Sequence, residues 1–158
     1  MDCKENVEIV KRYLDKNDWH YEVKETDSAV MFACGVNTEN CVFSSIRYRV
    51  FVDENCVQNF ALLPVGAGEK RAEVAEFIAR VNYPLKRGRL DMDYADGEIR
   101  YHLHVPIAAV RQDPDDTLQD VLCLPGLILS RYGNGIAKIV FGDVDPKTAY
   151  ELCEKEMK

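Results

Sequence analysis

His102 and His104 are the residues of this chain best suited to metal chemistry, because alternate positions on a strand put both imidazoles on one face. Asp91 faces His102 across a hairpin, and imidazole with carboxylate suits zinc or a similar divalent ion. The ligand count stops there: no fourth donor stands at a recognised spacing. Complementary charges on a solvated hairpin face explain the same residues. Asp91-x-Asp93-x-x-Asp96-Gly97 imitates a calcium loop and departs from it at three places. The fifth position is Ala95, the sixth is Asp96 in place of glycine, and the twelfth is His102 in place of glutamate.

Other chemistries are weaker still. Nucleophilic catalysis needs a thiol or hydroxyl beside a base, and the six cysteines and three histidines carry no local signature of such a pair. Gly66-Ala-Gly68 and Gly133-Asn-Gly135 lack the Lys-Ser/Thr of a phosphate loop and are expected to be connectors. Arg47 and Arg49, together with Arg87 and Arg89, could line an anion site, although surface arginines are commonly just solvated. No catalytic, cofactor-binding or metal-binding residue is assigned.

The elements that position these residues begin with the hairpin from Arg89 to His104. Asp96-Gly97 predicts a two-residue type I′ turn, which needs positive φ at both central positions. That turn sets Met92 opposite Tyr101 and Asp91 opposite His102. Leu90, Met92, Tyr94, Ile99, Tyr101 and Leu103 then share a dry face, and Arg89, Asp91, Asp93, Glu98, Arg100, His102 and His104 a wet one.

The rest of the chain alternates cleanly between periods. Residues 2–16 are expected to be helical, with Asp2 and Glu5 as a weak capping box. Strands are expected at 19–24, 29–36, 42–52 and 56–63, linked by short polar turns, which implies an antiparallel meander. Val74, Phe77, Ile78 and Val81 form the stripe of an amphipathic helix that Pro84 ends. Asp116 or Thr117 is expected to cap a further helix, interrupted at Pro125-Gly126 and loosened at Gly133 and Gly135. Asp145-Pro146 starts the closing helix.

A chain of 158 residues predicts one domain over 1–158. The net charge of −7 and a pI near 5.0 argue against nucleic-acid and anionic membrane partners, which require clustered Lys and Arg. No apolar run approaches a membrane span, and the first residues carry no secretory signature, so a cytoplasmic location is expected. In that compartment the scattered cysteines are expected as thiols.

Lys70-Arg-Ala-Glu-Val-Ala-Glu-Phe-Ile-Ala-Arg80, Asn82-Tyr83, Leu85, Gly88, Leu90-Asp91 and Asp96-Gly-Glu-Ile-Arg-Tyr101 together resemble the YbjN family of small bacterial proteins. Leu63-Pro64 and Ala149 within a Pro-initiated helix fit the same pattern. The resemblance implies an α+β, type III secretion chaperone-like fold: a curved antiparallel sheet with helices on one face. It implies a cytoplasmic, commonly dimeric module that binds segments of other proteins without catalysis, with sensory-transduction regulation as a setting. No catalytic residue and no cofactor is implied. The expected function is therefore non-enzymatic and protein-binding or chaperone-like, as a possible homodimer. The alternative is a small-ligand- or metal-binding sensor using the His102/His104 face with Asp91.

Overall fold

Alternation is clearest in Ser45–Val52, where Ile46, Tyr48, Val50 and Val52 are buried while Ser45, Arg47 and Arg49 are exposed. A strand with one dry face must lie on something apolar. In the computed structural model, which describes residues 3–156, that something is a layer of helices. The elements run α1 (Cys3–Lys16), β1 (Glu22–Glu25), β2 (Val30–Asn37), β3 (Ser45–Val52), β4 (Cys56–Leu62), α2 (Arg71–Asn82), β5 (Arg89–Met92), β6 (Ile99–Pro106), α3 (Ile107–Gln112), α4 (Pro114–Gly142) and α5 (Pro146–Lys155).

The six strands form one antiparallel sheet in the order β1-β2-β3-β4-β6-β5. The expected meander is β1 to β4, and the α+β class holds. Helices gather on the face that carries Phe32, Tyr48, Val57, Ala61, Ile99 and Tyr101, all buried. The first strand is later and wetter than its alternation predicts. Trp19 and Tyr21 precede β1 and pack on Tyr48 and Phe32, and Val23 is half exposed. The Asp2 end of the expected capping box lies outside the described residues.

The hairpin register is corrected by two residues: Met92 opposes Ile99, Leu90 opposes Tyr101, and Asp91 opposes Arg100 rather than His102. Local aspartate chemistry is the cause. Asp93 Oδ1 accepts from the Ala95 amide at 2.9 Å, and Asp96 Oδ1 from the Glu98 amide at 2.8 Å. These turns draw Asp93 and Glu98 into the closing backbone bond of 2.9 Å and leave four residues in the loop. Gly97 supplies the left-handed residue, φ 82°, and its carbonyl accepts from the Ala67 amide at 2.9 Å. A shift of two preserves which face each strand side chain occupies, but two members of the expected sets depart: Tyr94, drawn into the loop, is exposed, and His102, on the outward face, is buried.

Pro125 and Gly126 do not interrupt the C-terminal helix, and Gly133 and Gly135 do not loosen it: α4 is continuous for 29 residues. Its cap is Asp113, whose side chain accepts from the Asp116 amide, in place of Asp116 or Thr117. Proline at 125 removes the amide that would bond the carbonyl of Val121. Asn59, fully buried on β4, donates to that carbonyl instead, Nδ2 to O at 2.9 Å. The glycines are where α4 lies closest to its neighbours. A β-carbon at Gly126 would stand 2.9 Å from the Tyr48 hydroxyl, and one at Gly135 2.6 Å from the Phe77 ring and 2.8 Å from Cys153 Sγ. Gly133-Asn-Gly135 is thus helix interior, not a connector, and Asn134 pins the β2–β3 loop through Val42 N at 2.8 Å and Asn40 O at 2.9 Å. Asp145 caps α5 as expected, accepting from the Thr148 amide at 3.0 Å.

Candidate functional site: the uncovered face of the sheet

The strand registers array the outward side chains in rows. One row runs Lys24, Met31, Phe51, Gln58, His104; the next Glu22, Ala33, Arg49, Phe60, His102, Arg89; the third Gly35, Arg47, Leu62, Arg100, Asp91. On a chain of net charge −7, this face carries five lysines and arginines against two carboxylates. It divides into two halves with different electrostatics.

On the β4–β6–β5 half the charges are consumed locally. Asp91 is held by Arg89 Nε at 2.9 Å and Arg100 Nε at 3.7 Å. His102 stacks on Phe60 with centroids 4.4 Å apart, and the Arg100 guanidinium sits 4.4 Å from the same ring. The His102 Nε2 lies 3.2 Å from Gln58 Oε1. Nδ1 is buried, 4.0 Å from the Asp91 carboxylate, and has no hydrogen-bond partner. Burial, with Arg89 nearby, pushes the His102 pKa down to about 4 despite Asp91, so this contact joins a neutral imidazole to a carboxylate and is not an ion pair.

That arrangement has a measurable consequence. The folded pKa lies below the ordinary value near 6.5, so the unfolded chain takes up the proton first as pH falls. The stabilising contribution is fully present above pH 6.5 and is lost as pH falls toward 4. Denaturation at pH 7.5 and pH 5 is expected to show a loss of about 2 kcal/mol from this residue, absent in His102→Gln. Equal acid sensitivity in both proteins would show that His102 is not held neutral by its surroundings.

For metal chemistry the geometry is unfavourable. The carboxylate of Asp91 is engaged by two guanidinium groups, and His102 offers only a buried nitrogen. Among the described residues no group of three His, Cys, Asp or Glu side chains converges to hold an ion. Asp91, Asp93 and Asp96 are divided between a strand and two side-chain turns. Among the described residues no disulfide joins the cysteines, and burial raises the Cys34 thiol pKa to about 11 and moves Cys41, Cys56, Cys123 and Cys153 the same way. A thiolate nucleophile needs the opposite shift.

On the β1–β2–β3 half the charges are unmet. The four arginines of the expected anion site are split: Arg87 pairs with Asp120 and Arg89 with Asp91. Arg47 and Arg49 form no ion pair and no hydrogen bond among the described residues. Beside them the β2 face is nearly bare, because its outward residues there are Ala33 and Gly35, and nothing lies within 4 Å of a β-carbon built at Gly35. The result is a furrow of about 560 Å³ over β2, with Arg47 and Arg49 as one wall and His20, Glu22 and Lys24 as the other. The arginines stand out in the sequence; the floor emerges only with the strand register. The signal was present as small residues at alternate positions of a strand, next to arginines at alternate positions of the following one.

The two sheet edges also differ. Asn82 closes β5: its Oδ1 accepts from the Leu90 amide at 2.8 Å and its Nδ2 donates to the Leu90 carbonyl at 2.9 Å. All four residues of β1 are exposed. Its charged side chains discourage indiscriminate pairing while leaving the backbone accessible. A second concavity, about 640 Å³, lies on the helical side, where Trp19, Leu122, Gly126 and Leu127 surround the Tyr48 hydroxyl. That hydroxyl is buried without a hydrogen-bond partner.

The fold and this face define an α+β domain with one helix-covered and one uncovered sheet surface. Among the described residues no helix is long and apolar enough to cross a membrane. No family model matches the chain, and no curated protein sequence matches it.

Proposed function

We propose that this chain is a non-enzymatic protein-binding module, chaperone-like in action, that holds an extended segment of another protein on the uncovered side of its sheet. The observation that carries the reading is the sheet itself: one face free of helices, one edge closed by Asn82, and the other edge, β1, exposed along its length. An extended segment lying on that face is held through its alternate side chains, which meet the outward side chains of the sheet. The resemblance to the YbjN family and to secretion chaperones points the same way, toward a cytoplasmic regulatory setting. A homodimer belongs to the proposal because two-fold pairing doubles such a surface; light scattering decides it. The metal-sensor alternative on His102, His104 and Asp91 loses ground to the guanidinium groups that occupy the carboxylate.

Selection of displayed random dodecapeptides on the immobilised full chain tests this function. The expected result is a convergent family of sequences that bind the chain in solution as extended segments. A chain that enriches no sequence family, and whose melting temperature instead rises with added zinc, would replace this reading with the sensor.

A further inference from the structure

From the furrow over β2 we infer the chemistry of the bound segment: an extended chain with acidic side chains at alternate positions, its carboxylates seated on Arg47 and Arg49. This rests on the protein-binding reading above and narrows it to one occupant. The spacing is the first reason. Arg47 and Arg49 are two residues apart on β3, and same-face side chains of any extended chain recur at that interval, roughly 7 Å. A segment lying along β2 therefore presents one carboxylate to each guanidinium in register. Each planar fork can take its carboxylate through two parallel hydrogen bonds.

The floor is the second reason. Ala33 and Gly35 leave the β2 face without side-chain bulk, so a backbone can approach the sheet between the arginine wall and the β1 side. Charge is the third. Arg80, Arg87, Arg89, Arg100 and Arg131 are in ion pairs, Arg71 donates to Gly68 O, and Arg111 donates to Asn6 Oδ1 at 2.7 Å; Arg12, the other arginine without a partner among the described residues, stands alone on α1. Arg47 and Arg49 stand unneutralised beside Lys24 and His20, with Glu22 as the only carboxylate lining the furrow. A single-stranded nucleic acid would also bring anions, but it needs aromatic faces for its bases. Phe60 is already taken up by His102 and Arg100, and Phe51 meets Phe60 edge-on at 5.8 Å. Tyr21 and Tyr48, which also line the furrow, are turned to the other side, Tyr21 against Phe32 and Tyr48 buried against Trp19, so the peptide fits better than the nucleic acid.

The test uses the full chain and two fluorescein-labelled dodecapeptides of alternating sequence, Thr-Glu repeats and Thr-Gln repeats, read by anisotropy at low and moderate salt. The glutamate peptide is expected to bind at least about tenfold more tightly than the glutamine peptide, with the difference shrinking as salt rises. The double variant Arg47→Gln/Arg49→Gln is expected to lose most of that preference, while Arg80→Gln on α2 keeps it; thermal melts verify that both variants are folded. Equal binding of the two peptides would overturn the acidic specificity and leave the protein-binding reading standing. An unchanged preference in the double variant would overturn the furrow as its location. Displacement of the glutamate peptide by an equimolar oligo-dT would overturn the choice of a peptide. If the glutamate peptide fails to bind while display selects other sequences, this inference fails alone; if display selects nothing either, both readings fail.

Discussion

Gly88→Ala is expected to lower the unfolding free energy by about 4 kcal/mol, and Gly68→Ala by about 1 kcal/mol, in matched urea titrations. Both residues have left-handed backbones, φ 65° at Gly88 and 56° at Gly68, so both substitutions carry the same conformational cost. They differ in what the new methyl group meets. At Gly68 nothing lies within 4 Å, whereas at Gly88 a β-carbon would fall 2.2 Å from the Tyr101 hydroxyl and 2.9 Å from the His102 carbonyl. Tyr101 is fully buried at the centre of β6, and its hydroxyl donates to the Arg87 carbonyl at 2.6 Å. It cannot yield without breaking that bond and moving core neighbours. Equal losses at the two positions would mean that the close approach of the 87–89 segment to Tyr101 is not part of the fold.

Asn59→Leu is expected to cost about 2–3 kcal/mol in the natural sequence and close to nothing when Pro125→Ala is already present. With proline at 125 the Val121 carbonyl depends on Asn59 Nδ2, and removing that donor leaves a buried acceptor unpaired. With alanine at 125 the helix supplies its own amide to Val121. Asn59 is then a buried amide whose Oδ1 already lacks a partner, and leucine replaces it at little cost. The four-protein cycle isolates a coupling of about 2 kcal/mol. A cycle that sums to zero would show that the proline and the asparagine are merely neighbours.

These two sites mark where the sequence was legible and where it was not. The alternation of Ile46, Tyr48, Val50 and Val52, the stripe of Val74, Phe77, Ile78 and Val81, and the Asp145-Pro146 cap are local patterns, and the corresponding elements stand where those patterns place them. The hairpin faces were legible for the same reason. Its register was not, because Asp93 and Asp96 compete with the Asp-Gly rule through their own side-chain turns. Pro125-Gly126 looks like a helix break to any local rule. What heals it is Asn59, 62 residues before the Val121 carbonyl it serves, which no periodicity connects to α4. The candidate site divides likewise. Arg47, Arg49, Arg87 and Arg89 are visible as a set of charges, but only the sheet order and the partners Asp91 and Asp120 separate the neutralised pair from the unmet one.

The central claim is that a segment of another protein lies against the uncovered side of the sheet, at its β1–β2–β3 end. Amide hydrogen exchange of the full chain, with and without a saturating dodecapeptide obtained by display, tests it most directly. Slowed exchange is expected in β1 and along β2 and β3, around Glu22–Glu25, Ala33–Gly35 and Arg47–Arg49, with α2 and α5 unchanged. Protection confined to residues 122–134 of α4, beside the Tyr48 concavity, with β1 to β3 exchanging as in the unbound chain, would contradict it.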